Sequence, residues 1–242
     1  MQLSSKLKLS SKLKPSSKLI SRRSLLAAVL VPPAGARAES LCCGEITADG
    51  EHLRQFLDAS GVDHLWLPGF RIDWRTGAAI EAWPAGSGAH THCSAFAASA
   101  AMHLGVYLLR PPEHRENLLA NAQMRWLNGS DAVASGWRAL PDAAAAQAEA
   151  NRGALVVAAF ENPNPRAPGH IAIVRPGLIA ADVLAQSGPM VTQAGGHNAL
   201  AVPLARGFGN HRGAWNPGGG GAVRMFAHDV SWTQVSGDDL VR

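Results

Sequence analysis

The sequence predicts an α+β fold, with helices first and a small, mostly antiparallel sheet after them. One observation is the spacing of Phe96, Ala97, Ala100, Ala101 and Leu104, which recurs at three and four residues and marks a helix opening at Cys93. Another is the change of period after Gly153, where "ALVVAAF", "HIAIVRP" and "PMVTQAG" are short apolar or β-branched runs separated by Pro, Gly and Asn. Helical segments followed by strands argue for α+β rather than a wound βαβ arrangement. A chain of 242 residues with 47% hydrophobic content is long enough to bury a sizeable core.

Each element has its own warrant. "GEHLRQFLDASGV" carries Leu53, Phe56 and Leu57 at helical spacing and ends at Gly61, which predicts a short helix. From His64 to Gly88, Pro68-Gly69, Thr76-Gly77 and Pro84 punctuate aromatic and β-branched residues, the pattern of short strands and turns. The helix at Cys93 is rich in small residues and stops near Gly105. A second long helix is expected to start at Pro111-Pro112, prolines being suited to a helix N-terminus, with Leu118, Leu119, Ala122 and Trp126 on one face. "PDAAAAQAEANRG" reads as a third helix, stopped by Gly153, and "AVRMFAHDV" as a late strand. The glycines of "NPGGGGA" lack the strand-before, helix-after setting of a phosphate cradle.

The charge is unevenly placed. The chain carries 22 Lys and Arg against 18 Asp and Glu, but eight of the cations and none of the acids lie in residues 1–38. The remainder is net acidic, which leaves no basic nucleic-acid footprint. Residues 1–38 read as an export signal: a basic stretch, the pair Arg22-Arg23 followed by Leu25-Leu26, a short apolar run, and "ARA" before Glu39. The arginine pair resembles the twin-arginine signal of bacterial export. Cleavage is expected after Ala38, leaving residues 39–242 as a single domain, exported to the periplasm or beyond, with the export machinery as a partner. The apolar run is shorter than the about 20 residues that a membrane span needs, so no stable span is expected after cleavage.

Three cysteines remain: Cys42, Cys43 and Cys93. An odd count in an exported protein leaves at least one thiol over. A vicinal Cys42–Cys43 bridge would be strained, and whether it forms stays open; the thiol left for chemistry is Cys93. Cys93 stands where a helix begins, and unsatisfied N–H groups there favour a thiolate. His170, at the head of the strand "HIAIV", can face such a helix end, and a polar residue on the adjoining strand would orient its ring. "PMVTQAGGHN" offers Gln193 on that strand and Asn198 just beyond it.

Cys93 at the head of a small-residue helix, then "GHIAIV" and a following strand with a polar residue, resembles the papain-like cysteine amidases and peptidases of bacterial cell walls, the CHAP and NlpC-type families. The resemblance covers Thr91 to Gly195. It implies a papain-like fold, with the helix that carries the nucleophile packed on the sheet. It also implies amide hydrolysis by Cys93 as nucleophile, His170 as general base and acid, and Gln193 as orienting residue, Asn198 being the alternative. No cofactor is implied, and the expected substrate is a cell-wall peptide or another peptide amide. These families often carry glutamate or asparagine at the third position, where this chain has glutamine. Papain itself supplies an oxyanion glutamine ahead of the cysteine; "PAGSGAHTH" has none, so the Cys93 N–H and a nearby side chain, His92, are left for that task.

Two readings from other classes use the same residues. A papain-like fold that binds a peptide or wall fragment without cleaving it needs no activated thiol. A metal site would draw on His90, His92 and Cys93, completed by His170, His197 or His211, although their spacing matches no familiar zinc pattern. Trp126, Trp137 and Trp215 are expected to pack rather than to stack on a sugar. "PNPRAPG", just ahead of His170, is expected to connect two strands.

Overall fold

The computed structural model describes residues 41–88, 90–218 and 220–235. The expected export signal, with its cleavage point after Ala38, lies outside the described residues.

The described chain opens with β1 (Leu41–Cys42) and α1 (Ala48–Asp58), followed by a hairpin of β2 (Phe70–Ile72) and β3 (Ala79–Ala82). Three helices come next: α2 (Cys93–His103), α3 (Leu119–Leu127) and α4 (Ser130–Ala134). After them run β4 (Arg138–Leu140), α5 (Ala143–Asn151), β5 (Leu155–Phe160), β6 (His170–Val174), β7 (Ile179–Ala180) and α6 (Ala181–Ser187). The last elements are β8 (Met190–Gln193), β9 (Ala199–Pro203), α7 (Leu204–Gly207) and β10 (Arg224–His228). This is an α+β fold. Among the described residues the main sheet has six strands, in the order β4-β10-β5-β6-β8-β9, and every pairing in it is antiparallel. Helices and strands interleave more than the sequence order predicts, since α6 and α7 fall between strands.

Alternation along β5 and β6 divides the core in two, because successive side chains leave opposite faces of a sheet. Leu155, Val157, Ala159, Ile171 and Ile173 join α1 and α2 on one face. Val156, Ala158, Phe160, Ala172 and Val174 join α5 and the residues around α7 on the other. The two central strands are buried along their whole length. This explains why they read as continuous apolar runs instead of alternating ones.

α2 is buried on all sides from Cys93 to Ala101. Its alanines and serines let it sit closely against β6 and β8 on one side while α3 packs on another; a helix apolar all round belongs inside a core. α1 starts at Thr47, whose hydroxyl accepts the Gly50 N–H at 3.1 Å, and buries Leu53, Phe56 and Leu57 as predicted. α5 starts likewise at Asp142, which accepts the Ala145 N–H.

One helix boundary differs from expectation. Pro111-Pro112, joined by a cis peptide bond, precedes a run of turns, and α3 begins only at Leu119, after Leu118 in the left-handed region at φ 55°. Cys42 and Cys43 are joined in a vicinal disulfide, which leaves Cys93 as the free thiol. Asn151 fastens this entry segment: its Nδ2 donates to the Gly44 carbonyl at 3.2 Å and its own carbonyl accepts the Thr47 N–H at 2.9 Å. Among the described residues no helix is long and apolar enough to cross a membrane.

Candidate functional site

His170 is the first residue of β6, and the backbone that delivers it is tightly constrained. A Cβ on Gly169 would stand 2.2 Å from the Phe160 carbonyl and 2.4 Å from Asn121 Oδ1, so only glycine fits before the histidine. The loop joining β5 to β6 is pinned by Asn121, which is buried on α3. Its Oδ1 accepts the Asn162 N–H at 3.0 Å and its Nδ2 donates to the Ala167 carbonyl at 2.9 Å. "PNPRAPG" is therefore an ordered strand connection, with Asn162 and Asn164 each accepting a backbone N–H two residues on.

Gln193, at the end of β8, meets the His170 ring. The contact runs from His170 Nε2 to Gln193 Oε1 at 2.9 Å. The orientation of the carboxamide follows from its other end, where Nε2 donates to the His197 carbonyl at 3.2 Å. An amide oxygen only accepts, so His170 Nε2 carries the proton and Nδ1 is the bare nitrogen of the neutral ring. Gly207 of α7 closes the space behind: a Cβ there would lie 2.5 Å from Gln193 Oε1. Phe208 packs edge-on to the His170 ring at 4.6 Å, and His211 stacks on it at 5.4 Å with 16° between the planes.

Cys93 lies in the core on the face of the sheet that carries Ile171 and Ile173. It is the first residue of α2, and the backbone N–H groups of Ile171, Ser94 and Cys93 itself act on its sulfur in favour of the thiolate. The thiol thus lies against the residue that follows His170. No hydrogen bond joins the Cys93 sulfur to the His170 ring among the described residues. Burial pushes the Cys93 thiol above its ordinary range, opposed by those three N–H groups. Burial also depresses the His170 imidazole, opposed by its bond to Gln193. Both shifts favour a neutral thiol and a neutral imidazole; the His170 ring packs on Phe208 on the face of β6 opposite to Ile171, whose side chain shares a core with Cys93.

The remaining sequence candidates sit elsewhere. Asn198 does not orient His170: its Oδ1 accepts the Gly195 N–H at 2.9 Å, and its Nδ2 donates to the carbonyls of Val62 and Leu65, both at 2.8 Å, and of Trp66 at 3.3 Å. His92 precedes α2, and its Nε2 lies 2.8 Å from the Phe70 carbonyl, which only accepts. Burial lowers its pKa, so the ring is neutral, with its one N–H spent on Phe70 and none left for an oxyanion. His90 stacks on Trp83 at 4.0 Å. The "HTHC" segment therefore spreads its donors, and no group of three or more His, Cys, Asp or Glu that could hold a metal occurs among the described residues. Trp137 is 2% exposed and donates to the Tyr107 carbonyl, and Trp215 donates to the Gln186 carbonyl.

His211, which the sequence offered only as one possible ligand of the metal alternative, stands beside His170. Burial and the neighbouring His170 hold its pKa at about 4, so it is a neutral ring stacked on His170. It lies in the turn after α7, where no periodic pattern could have announced it. No family model matches the chain, and no curated protein shows significant similarity to it.

Proposed function

We propose that this protein is an exported, thiol-dependent amide hydrolase of papain-like architecture, acting on peptide amides of the cell wall. The observation that supports this reading is the His170–Gln193 bond, which leaves Nδ1 as the basic nitrogen of the ring, while Cys93 at the start of α2 packs in the core with Ile171, the next residue of the strand. Catalysis then requires the His170 side chain, at the first position of β6, to turn towards the sulfur. Gln193 then orients the ring, as the third member of such a site does.

Because burial disfavours both charges at rest, the thiol proton moves as the sulfur attacks. The Cys93 S–H proton passes to His170 Nδ1 while a bond forms from sulfur to the amide carbonyl carbon. The oxyanion accepts from the Cys93 backbone N–H at the start of α2. Collapse breaks the C–N bond, and His170 returns the proton to the leaving amine. Water then attacks the thioester, giving its proton to His170, and release of the acid restores the thiol.

A second reading, a papain-like module that binds such peptides without cleaving them, is favoured by the raised Cys93 pKa and by the lack of a hydrogen bond between its sulfur and the His170 ring. Incubation of the protein with cell-wall peptides separates the two. Hydrolysis predicts a new amine and a new carboxylate in mass spectra, abolished by Cys93→Ala and by His170→Ala. Saturable binding with no new amine, unchanged in Cys93→Ala, selects the binding module.

A further inference from the structure

We propose that a cavity along the middle of α2, away from the Cys93 end, binds a free straight-chain carboxylate, its alkyl chain inside and its head group on Arg75. The cavity measures about 330 Å³. This lies at the lower end of the roughly 300–1,000 Å³ of small-molecule sites. At about 30 Å³ per water-sized group, it has room for on the order of ten methylenes.

The walls define the chemistry. Phe56 of α1, Leu65 and Trp66 of the following turns, and Phe96 and Ala100 of α2 supply apolar surface. Three polar groups of the lining, which also includes Thr76 and His103, are engaged by backbone carbonyls. The Ser99 hydroxyl donates to the Arg75 carbonyl, the Ser60 hydroxyl to the Leu57 carbonyl at 2.7 Å, and Trp66 Nε1 to the Trp74 carbonyl at 3.3 Å. The interior is thus suited to an alkyl chain rather than to a sugar or a peptide.

Charge selects the head group. Among the described lining residues Arg75 is the permanent cation, and no acid accompanies it. Arg75 has no carboxylate partner among the described residues; its guanidinium lies over the Trp74 ring, 5.1 Å from the centroid. The Asp73 carboxylate, two residues earlier, accepts the backbone N–H groups of Arg75 and Thr76 at 2.8 and 3.2 Å. Arg75 is an exposed residue of the lining, and a guanidinium swung from the Trp74 ring to the mouth would match a carboxylate bidentately.

Trp66 adds a second observation. Its backbone sits at φ 49°, a conformation costly for a bulky residue. It is held there by a bond from its N–H to the Gly77 carbonyl at 2.9 Å, while its ring packs edge-on to Phe96 at 5.1 Å. Such over-determined strain gathers at ligand clamps, and here it fixes the aromatic wall.

Isothermal titration of the full chain with decanoate, below its micelle concentration, tests the proposal against decanol and decylammonium. Saturable decanoate binding is expected, with decylammonium weaker than decanol. Arg75→Gln should weaken decanoate by roughly tenfold or more, the scale of a lost charge-assisted contact, while leaving decanol unchanged. Ala78→Trp, on an exposed residue of the rim where the fold is not at risk, should abolish both. No saturable heat with the wild type, equal loss of decanol in Arg75→Gln, or unchanged binding in Ala78→Trp would overturn it.

Discussion

The Nε2–H of His170 is committed to Gln193 Oε1 at 2.9 Å, and the same carboxamide is held from behind by the His197 carbonyl. Proton-coupled nitrogen NMR should therefore find the Nε2–H tautomer of His170 in the neutral protein. Because the Gln193 bond raises the His170 pKa against burial, Gln193→Ala should lower it further. Gln193→Glu should raise it, since a carboxylate at Nε2 stabilises the imidazolium. A bare Nε2 in the spectrum would remove the basis for assigning Nδ1 as the base.

Alkylation of Cys93 reports on the resting thiol. With its pKa pushed up by burial, iodoacetamide should label it more slowly than a free thiol, whose pKa is about 8.5, throughout pH 6 to 8. Mass spectrometry of the labelled peptide follows the rate. Fast labelling below pH 7 would instead mean a thiolate already formed before substrate arrives.

Gly207→Ala is a small change with a specific target. The added methyl would stand 2.5 Å from Gln193 Oε1, so the carboxamide must move and the His170 bond must lengthen or break. Overpacking of this kind costs about 1–3 kcal/mol, measurable by urea unfolding together with a shifted His170 resonance. Gly195→Ala is the control, because its methyl would meet His170 Cε1 at an ordinary 3.4 Å.

His211 predicts a pH dependence of stability. Its folded pKa of about 4 lies below the ordinary value of 6.5. The unfolded chain therefore binds the extra proton first as the pH falls. Stability should be unaffected by His211 above about pH 6.5 and should fall progressively between that pH and about 4. Buried His92 and His170, also depressed, act in the same direction. Urea midpoints at pH 7, 5.5 and 4.5 should show a shallower decline in His211→Gln than in the wild type.

Asn121→Ala should destabilise the fold and loosen the approach to His170 together. It leaves the Asn162 N–H and the Ala167 carbonyl without their partner, and each unpaired buried group costs about 1–3 kcal/mol. Hydrogen exchange at residues 162–169 should quicken before global unfolding does.

What the sequence made legible is what periodicity and glycine encode. The apolar runs of β5, β6 and β8 place His170 and Gln193 on adjacent strands, and the small-residue spacing of α2 puts Cys93 at a helix start. The start of α3 was not legible from its prolines, because the apolar period that buries Leu119, Ala122 and Met124 sets in only after Leu118. The surroundings of His92, Asn198 and His211 were not legible, for a common reason. Their roles depend on carbonyls or rings from distant segments: Phe70, Val62 to Trp66, and His170. No local pattern records such partners.

The single carboxamide of Asn198 has a mechanical consequence. On one side it grips the turn from Val62 to Trp66, which walls the apolar cavity; on the other it fixes Gly195, whose Cα borders the His170 ring. The cavity wall and the surroundings of His170 are consequently tied through one side chain. Loss of that one side chain would untie the turn that walls the cavity and the segment beside the histidine together.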